Sequence, residues 1–196
     1  MADAMVEEYN KTYQSIAKYD GFYIGRYEIT GNVDNPTVQK GGTVITNQNW
    51  YNLKKACTNV VSTEYAQSTM VYGNQWDEVI AWLIATGDKT ETQVNEKSED
   101  WGNYKNSTGT AATNSGSPQT AGKNEAWQAN NIYDLAGNCS EWTQEARNAN
   151  GRVYRGGFCT HSGSNFPASD RYNYGPYFSY GYGSSRPALY VALNAE

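Results

Sequence analysis

The sequence predicts an α+β domain with many long ordered loops. Three observations point there. Two stretches carry apolar residues at helical spacing. Short strand-like runs lie towards both ends of the chain. Gly, Asn, Ser and Thr crowd the rest, as turns and loops require. A length of 196 residues suits a helical appendage over 1–20 and one domain over 21–196.

Val6, Tyr9, Tyr13 and Ile16 recur at helical spacing, and Gly21 ends the run. The plainer reading is an amphipathic helix packed on its own domain; the alternative is an oligomerisation helix, and the oligomeric state stays open. Phe22 to Ile29 reads as a strand. A first domain helix is expected at about 47–58, capped by Thr46 or Asn47, with Trp50, Leu53, Ala56 and Cys57 facing the core. A second is expected at about 75–86, capped by Asn74 with Asp77 in its first turn. Trp76, Val79, Ile80, Leu83 and Ile84 form its stripe and Gly87 stops it. Asp88 to Trp127 is polar and weakly periodic, and Trp101, Tyr104 and Trp127 would anchor it as an ordered loop. Arg152 to Gly157 and Ala188 to Leu193 read as strands, the last lying near the chain start.

Composition excludes several functions. A net charge of −5, with no Lys/Arg cluster, argues against a nucleic-acid partner. A lone His161 cannot build a multi-histidine metal site, and Cys57, Cys139 and Cys159 show neither metal spacing nor a disulfide framework. No run is apolar enough for membrane insertion. The start of the chain lacks signal-peptide character, so a location outside a cell would be reached by another route and the location stays open.

Asp134 to Trp142 places two carboxylates around a glycine and an asparagine. Asp134 and Glu141, with nearby backbone carbonyls, would suit a hard cation such as calcium. A metal-free turn, in which Asp134 and Asn138 cap amides, fits equally well. Arg155 reads as a structural salt bridge, and Gly156 and Gly157 as points of close backbone packing.

The run Asn131-Ile132-Tyr133-Asp134-Leu135-Ala136-Gly137-Asn138-Cys139-Ser140-Glu141-Trp142-Thr143, followed by Arg152-Val153-Tyr154-Arg155-Gly156-Gly157, resembles the signature of formylglycine-generating-enzyme-like domains. The resemblance implies a C-type lectin-like fold of the formylglycine-generating-enzyme type, with two helices flanking antiparallel strands. It also implies a structural calcium ion held by the side chains of Asp134 and Glu141 and the carbonyls of Gly137 and Cys139. The catalytic relatives bind copper through two cysteines. Here the matching positions fall near His161 and Phe166, so neither copper nor oxidase activity is expected. A Cys159–His161 pair on one face of a strand is the residual nucleophilic reading.

Between those positions and Arg186 stands a segment of different character, at about 158–186. Thr160, His161, Ser164, Asn165, Phe166, Asp170, Tyr172, Asn173, Tyr174, Tyr177, Phe178, Tyr180 and Tyr182 alternate with small residues. That is the composition of a paratope: rigid amphipathic rings interspersed with adaptable polar groups. Its frame, Arg155-Gly156-Gly157, then Ala168-Ser169-Asp170-Arg171, then Ser185-Arg186-Pro187-Ala188-Leu189, resembles the variable region of proteins diversified by diversity-generating retroelements. Those systems mutate template adenines, which turns Asn codons into the residue types found here. The resemblance implies a non-catalytic, adhesin-like binding protein with a protein or glycan ligand on a target cell surface. The alternatives are a formylglycine-generating-type oxidase, a carbohydrate-binding module of fixed specificity, or a structural phage component.

Overall fold

The computed structural model describes residues 2–112 and 116–193. Met1 and residues 194–196, at the ends of the expected domains, and 113–115 in the expected loop lie outside the described residues. In chain order the elements are α1 (Ala2–Tyr19), β1 (Tyr23–Ile24), β2 (Thr30–Asn32), β3 (Asn35–Thr37), α2 (Trp50–Thr58), β4 (Ala66–Met70), α3 (Gly73–Ala85), α4 (Glu91–Asn95), β5 (Gln128–Ala129), β6 (Ile132–Tyr133), β7 (Ser140–Asn148), β8 (Gly151–Arg155), β9 (Arg171–Tyr174), β10 (Gly183–Ser185) and β11 (Pro187–Val191).

Two sheets organise the molecule. One runs β1-β11-β4, all antiparallel, and joins the chain's two ends as expected. The other runs β10-β7-β8-β9. Its β10–β7 pair is parallel, a departure from the expected antiparallel arrangement. The expected strand from Phe22 to Ile29 shrinks to Tyr23–Ile24, because Glu28 and Ile29 bend into the buried interior instead of pairing.

Both expected domain helices are present, each with a different cap. In α2 the N-cap is Asn49, whose side chain accepts from the Asn52 N–H at 3.0 Å; Asn47 has φ 57 and lies outside the helix. Trp50, Leu53, Ala56 and Cys57 are buried as expected. α3 starts at Gly73, so Asp77 falls beyond the first turn, and Gln75 Oε1 accepts the Tyr72 N–H at 3.0 Å. Its C-terminus forms a Schellman motif: Gly87 (φ 75) donates to the Ile84 carbonyl and Asp88 to that of Leu83. Trp76, Val79, Ile80 and Leu83 enter the larger core cluster, with Val94, Trp101, Tyr104 and Leu135. Ile84 does not; it is exposed at the helix end.

The described residues of the loop after α3 include α4 and short 3-10 turns. Its three expected anchors, Trp101, Tyr104 and Trp127, are buried. α4 carries a capping box that sequence inspection passed over: Thr90 Oγ1 accepts from Gln93 N–H, and Gln93 Oε1 accepts from Thr90 N–H.

α1 docks by the face opposite to expectation in character. Val6, Tyr9 and Tyr13 are 59%, 44% and 63% exposed, while Thr12 and Ser15 are buried. The reason is the surface beneath. Glu8 accepts from Lys54 Nζ at 2.9 Å, Gln144 Nε2 at 3.0 Å and Tyr72 Oη at 3.2 Å, and also from Thr69 Oγ1. A polar seat selects the helix's polar stripe.

Candidate functional site

Of the frame residues around the segment at 158–186, Arg155, Ala168, Ser185 and Arg186 are buried, whereas Arg171 is exposed. Arg155 is buried and meets Asp77 at 2.8 Å and Glu145 at 3.7 Å. Arg171, across the β8–β9 pair from it, reaches the same two carboxylates. The expected structural role of Arg155 is thus met by a four-member ion network. Ala168 is buried, and its carbonyl accepts from Trp76 Nε1 at 3.0 Å. Ser185 Oγ donates to the Trp142 carbonyl at 2.8 Å. Gly157, at φ 65, lies so near the Phe166 carbonyl that an added Cβ would sit 2.4 Å from that oxygen. Only glycine fits there.

The aromatic residues between the frame positions turn outward. β9 alternates: Tyr172 and Tyr174 are exposed, and Asn173 points to the other side, with its Oδ1 beside Gly151. Tyr174 stacks on Phe178 at 4.1 Å, and Phe178 on Tyr180 at 5.3 Å. Tyr177 is 78% exposed and touches Tyr51 at 5.1 Å. Tyr172 packs on Tyr154 at 5.6 Å. Tyr180 behaves differently from its neighbours. It is half-buried against the core of Trp50, Trp142 and Tyr154, and burial raises its phenol pKa. Tyr182 is also half-buried, stacked on Phe158 at 4.9 Å. Both are less open than Tyr172, Tyr174 and Tyr177, and Tyr180 lies against the Phe178 ring.

His161 lies between two rings, 3.5 Å from Phe158 and 3.9 Å from Phe166, and Phe166 edges Tyr172 at 6.3 Å. Ser164 and Asn165 are exposed on the turn that joins His161 to Phe166, where Ser164 bonds Ser162 at 2.7 Å. Thr160 and Asp170 are half-buried, and burial raises the Asp170 carboxyl pKa. The structure therefore joins His161, Phe166, Tyr172, Tyr174, Phe178, Tyr180 and Tyr182 through ring contacts that run by way of Phe158 and Tyr154, whereas the Tyr177 ring meets that of Tyr51. It leaves Asn173 on the other side of β9, and Ser164 and Asn165 on the turn between His161 and Phe166. Three participants escaped sequence reasoning: Tyr51, Phe158 and Arg152, whose guanidinium lies 5.1 Å over the Trp50 ring. Tyr51 could have been found as the aromatic beside a core Trp; Arg152 carried no signal.

The signature turn is a buried polar brace. Glu141 accepts from Arg186 Nε at 3.0 Å and Nη2 at 2.7 Å, and Arg186 also donates to the carbonyls of Gly25 and Tyr133. Glu28 accepts from Asn138 Nδ2 at 2.5 Å and Cys139 N–H at 3.1 Å. Asp134 accepts from the Gly122 N–H at 2.7 Å, and burial pushes its carboxyl up to about 7. These residues do not fit the calcium ion that the resemblance implied. Both Glu141 oxygens are taken by a guanidinium that already supplies the positive charge. Among the described residues no group of three or more His, Cys, Asp or Glu side chains is disposed to hold a metal. Gly137 (φ 73) serves close packing instead, its α-carbon facing the Asn103 carbonyl.

Cys159 and His161 do not lie on a strand; they occupy a turn in which His161 N–H donates to the Phe158 carbonyl. Cys159 is buried, and burial pushes its thiol up to about 12. Such a thiol carries little thiolate near neutrality.

No family model matches the chain, and no curated protein matches it. Solved structures do. The Major Tropism Determinant I1 variant superposes with a TM-score of 0.55 at 15% identity, over 88% of this chain and 51% of its own. The P3c variant gives 0.52 at 16%, over 88% and 51%. Treponema denticola variable protein 1 gives 0.48 at 16%, over 91% and 66%. The chain spans about half the length of the tropism determinants it matches. The fold it shares with the I1 and P3c variants is mixed α and β with several sheets, consistent with the C-type lectin-like fold implied by the Asn131–Gly157 motifs.

Proposed function

We propose that this chain is a non-catalytic ligand-binding domain whose segment at about 158–186 is a diversifiable surface, with a protein or glycan on a target cell as its ligand. One observation carries the reading. Within a single stretch, the frame residues Arg155, Ala168, Ser185 and Arg186 are buried, while Tyr172, Tyr174, Tyr177 and Phe178 are exposed, Tyr174 stacked on Phe178. Such a division lets side chains change without disturbing the fold, as a surface rewritten by a diversity-generating retroelement would need. The fold shared with variants of a protein named for tropism supports the same reading. Exposed, rigid tyrosines supply contact area at low entropic cost.

The test separates binding from stability. Tyr172→Ala, Tyr174→Ala and Tyr177→Ala should each change unfolding free energy by less than ~1 kcal/mol, as surface substitutions do. Together they should abolish adhesion of the purified protein to cells it otherwise binds, since aromatic anchors dominate such interfaces. Retained adhesion in the triple variant would move the binding surface elsewhere. A genomic near-copy of the segment, differing at adenines and adjoining a reverse transcriptase, would support diversification; sequenced copies that never differ here would favour a binding module of fixed specificity.

A further inference from the structure

The paired strands β8 and β9 carry three arginines: Arg152, Arg155 and Arg171. Two of them, Arg155 and Arg171, share Asp77 and Glu145. Arg152 shares neither. It alternates away from Val153 onto the side of Tyr154, and across the strand pair it faces Tyr174. There it is half-buried, with its guanidinium 5.1 Å over Trp50. Its one polar contact is a long 3.5 Å bond to the Gly151 carbonyl, and its buried Nε has no partner. Among the described residues no carboxylate lies within ion-pair distance of it. A guanidinium offers five donors in a planar fork suited to a carboxylate. This one stands within the aromatic face, with Trp50 against Tyr51 at 5.3 Å and Tyr51 against Tyr177 at 5.1 Å.

We propose that Arg152 is an anion-receiving anchor of the aromatic face, outside the segment at 158–186, and that it takes the carboxylate of an acidic side chain on a peptide or protein ligand. This rests on the ligand-binding reading above. The arrangement of the rings favours a peptide over a sugar. Phe178 is stacked between Tyr174 and Tyr180, at interplanar angles of 24° and 27°, so its faces are covered and a ligand meets its edge and the exposed Tyr174. Sugars are gripped by open ring faces, whereas peptide groups bond to hydroxyls and pack against edges. A single unpaired guanidinium also matches one carboxylate better than a polyanion, which the net charge of −5 would repel.

The experiment pans the immobilised full chain, its Arg152→Met and Arg152→Lys variants, and the Tyr172/Tyr174/Tyr177 triple alanine variant against a random-peptide library, in parallel with an array of neutral and carboxylated glycans. Thermal unfolding confirms that each variant folds. The wild-type chain should enrich peptides with Asp or Glu beside hydrophobic residues. Arg152→Met should bind synthetic copies of them roughly 10- to 100-fold more weakly, the worth of a charge-assisted hydrogen bond. Arg152→Lys should recover part of that loss. Peptides without an acidic bias, or equal binding by Arg152→Met, would overturn the role of Arg152 while leaving the aromatic face as the binding surface. Capture of carboxylated glycans but not peptides would overturn the peptide assignment. Peptides that the triple alanine variant binds as well as the wild type would instead sink the ligand-binding reading of the face.

Discussion

His161 is the chain's single histidine and is wedged between Phe158 and Phe166. Burial, with the charge of Lys105 as the lesser cause, lowers its pKa from 6.5 to about 4. The unfolded chain therefore holds more protons on this ring between pH 6.5 and about 4. Its contribution to stability is complete above pH 6.5 and is lost as pH falls through that window. Proton NMR of the lone imidazole should give a midpoint near 4, whereas a midpoint near 6.5 would mean the ring is not sandwiched. Arg186 makes a second residue-scale case. Arg186→Met would leave Glu141 buried and uncompensated, and urea unfolding should show a loss of about 3–5 kcal/mol. A loss under ~1 kcal/mol would mean that Glu141 is neutral and indifferent to its partner.

Among the elements, α3 was the most legible, because its stripe and its stop signal are both local. Trp76, Val79, Ile80, Leu83 and Gly87 behave as their spacing demands. α1 was equally periodic yet leaves Val6 and Tyr13 of its apolar stripe to solvent, with Tyr9 edge-on against Tyr72 and Ile16 half-buried. Periodicity tells which residues share a face, but it does not tell what lies beneath the helix. Here Thr69, Tyr72, Gln144 and Lys54 converge on Glu8. Glu8→Ala should cost about 1–3 kcal/mol by stranding those buried donors, measured by chemical denaturation. In contrast, Val6→Ser, on the open stripe, should cost less than ~0.5 kcal/mol. The reverse order would return α1 to its expected docking.

For the whole molecule, the polar brace joins segments distant in the chain: Arg186 holds Glu141, 45 residues away, and Asn138 reaches Glu28 over a separation of 110. Because a guanidinium holds the centre of that brace, chelator should leave the melting temperature unchanged, and added calcium should not raise it. A chelator-sensitive melting temperature, restored by calcium, would reinstate the ion. The same brace closes the fold, since the carbonyls of Gly25 and Tyr133 also bind Arg186, which leads directly into β11.

By itself the sequence determined the class of the fold, the two domain helices, the anchors of the long loop and the segment that would carry the face. Each of these is written in local spacing, turn residues or motif. Only the tertiary structure decided which tyrosines of that segment stand free and which are half-buried, and that Arg152 lacks the carboxylate its neighbours share. It also decided that Glu141 of the signature serves a guanidinium. The reason is physical. Burial and charge pairing depend on what the rest of the chain brings against a residue, and that counter-surface is distributed over separations that no local pattern encodes.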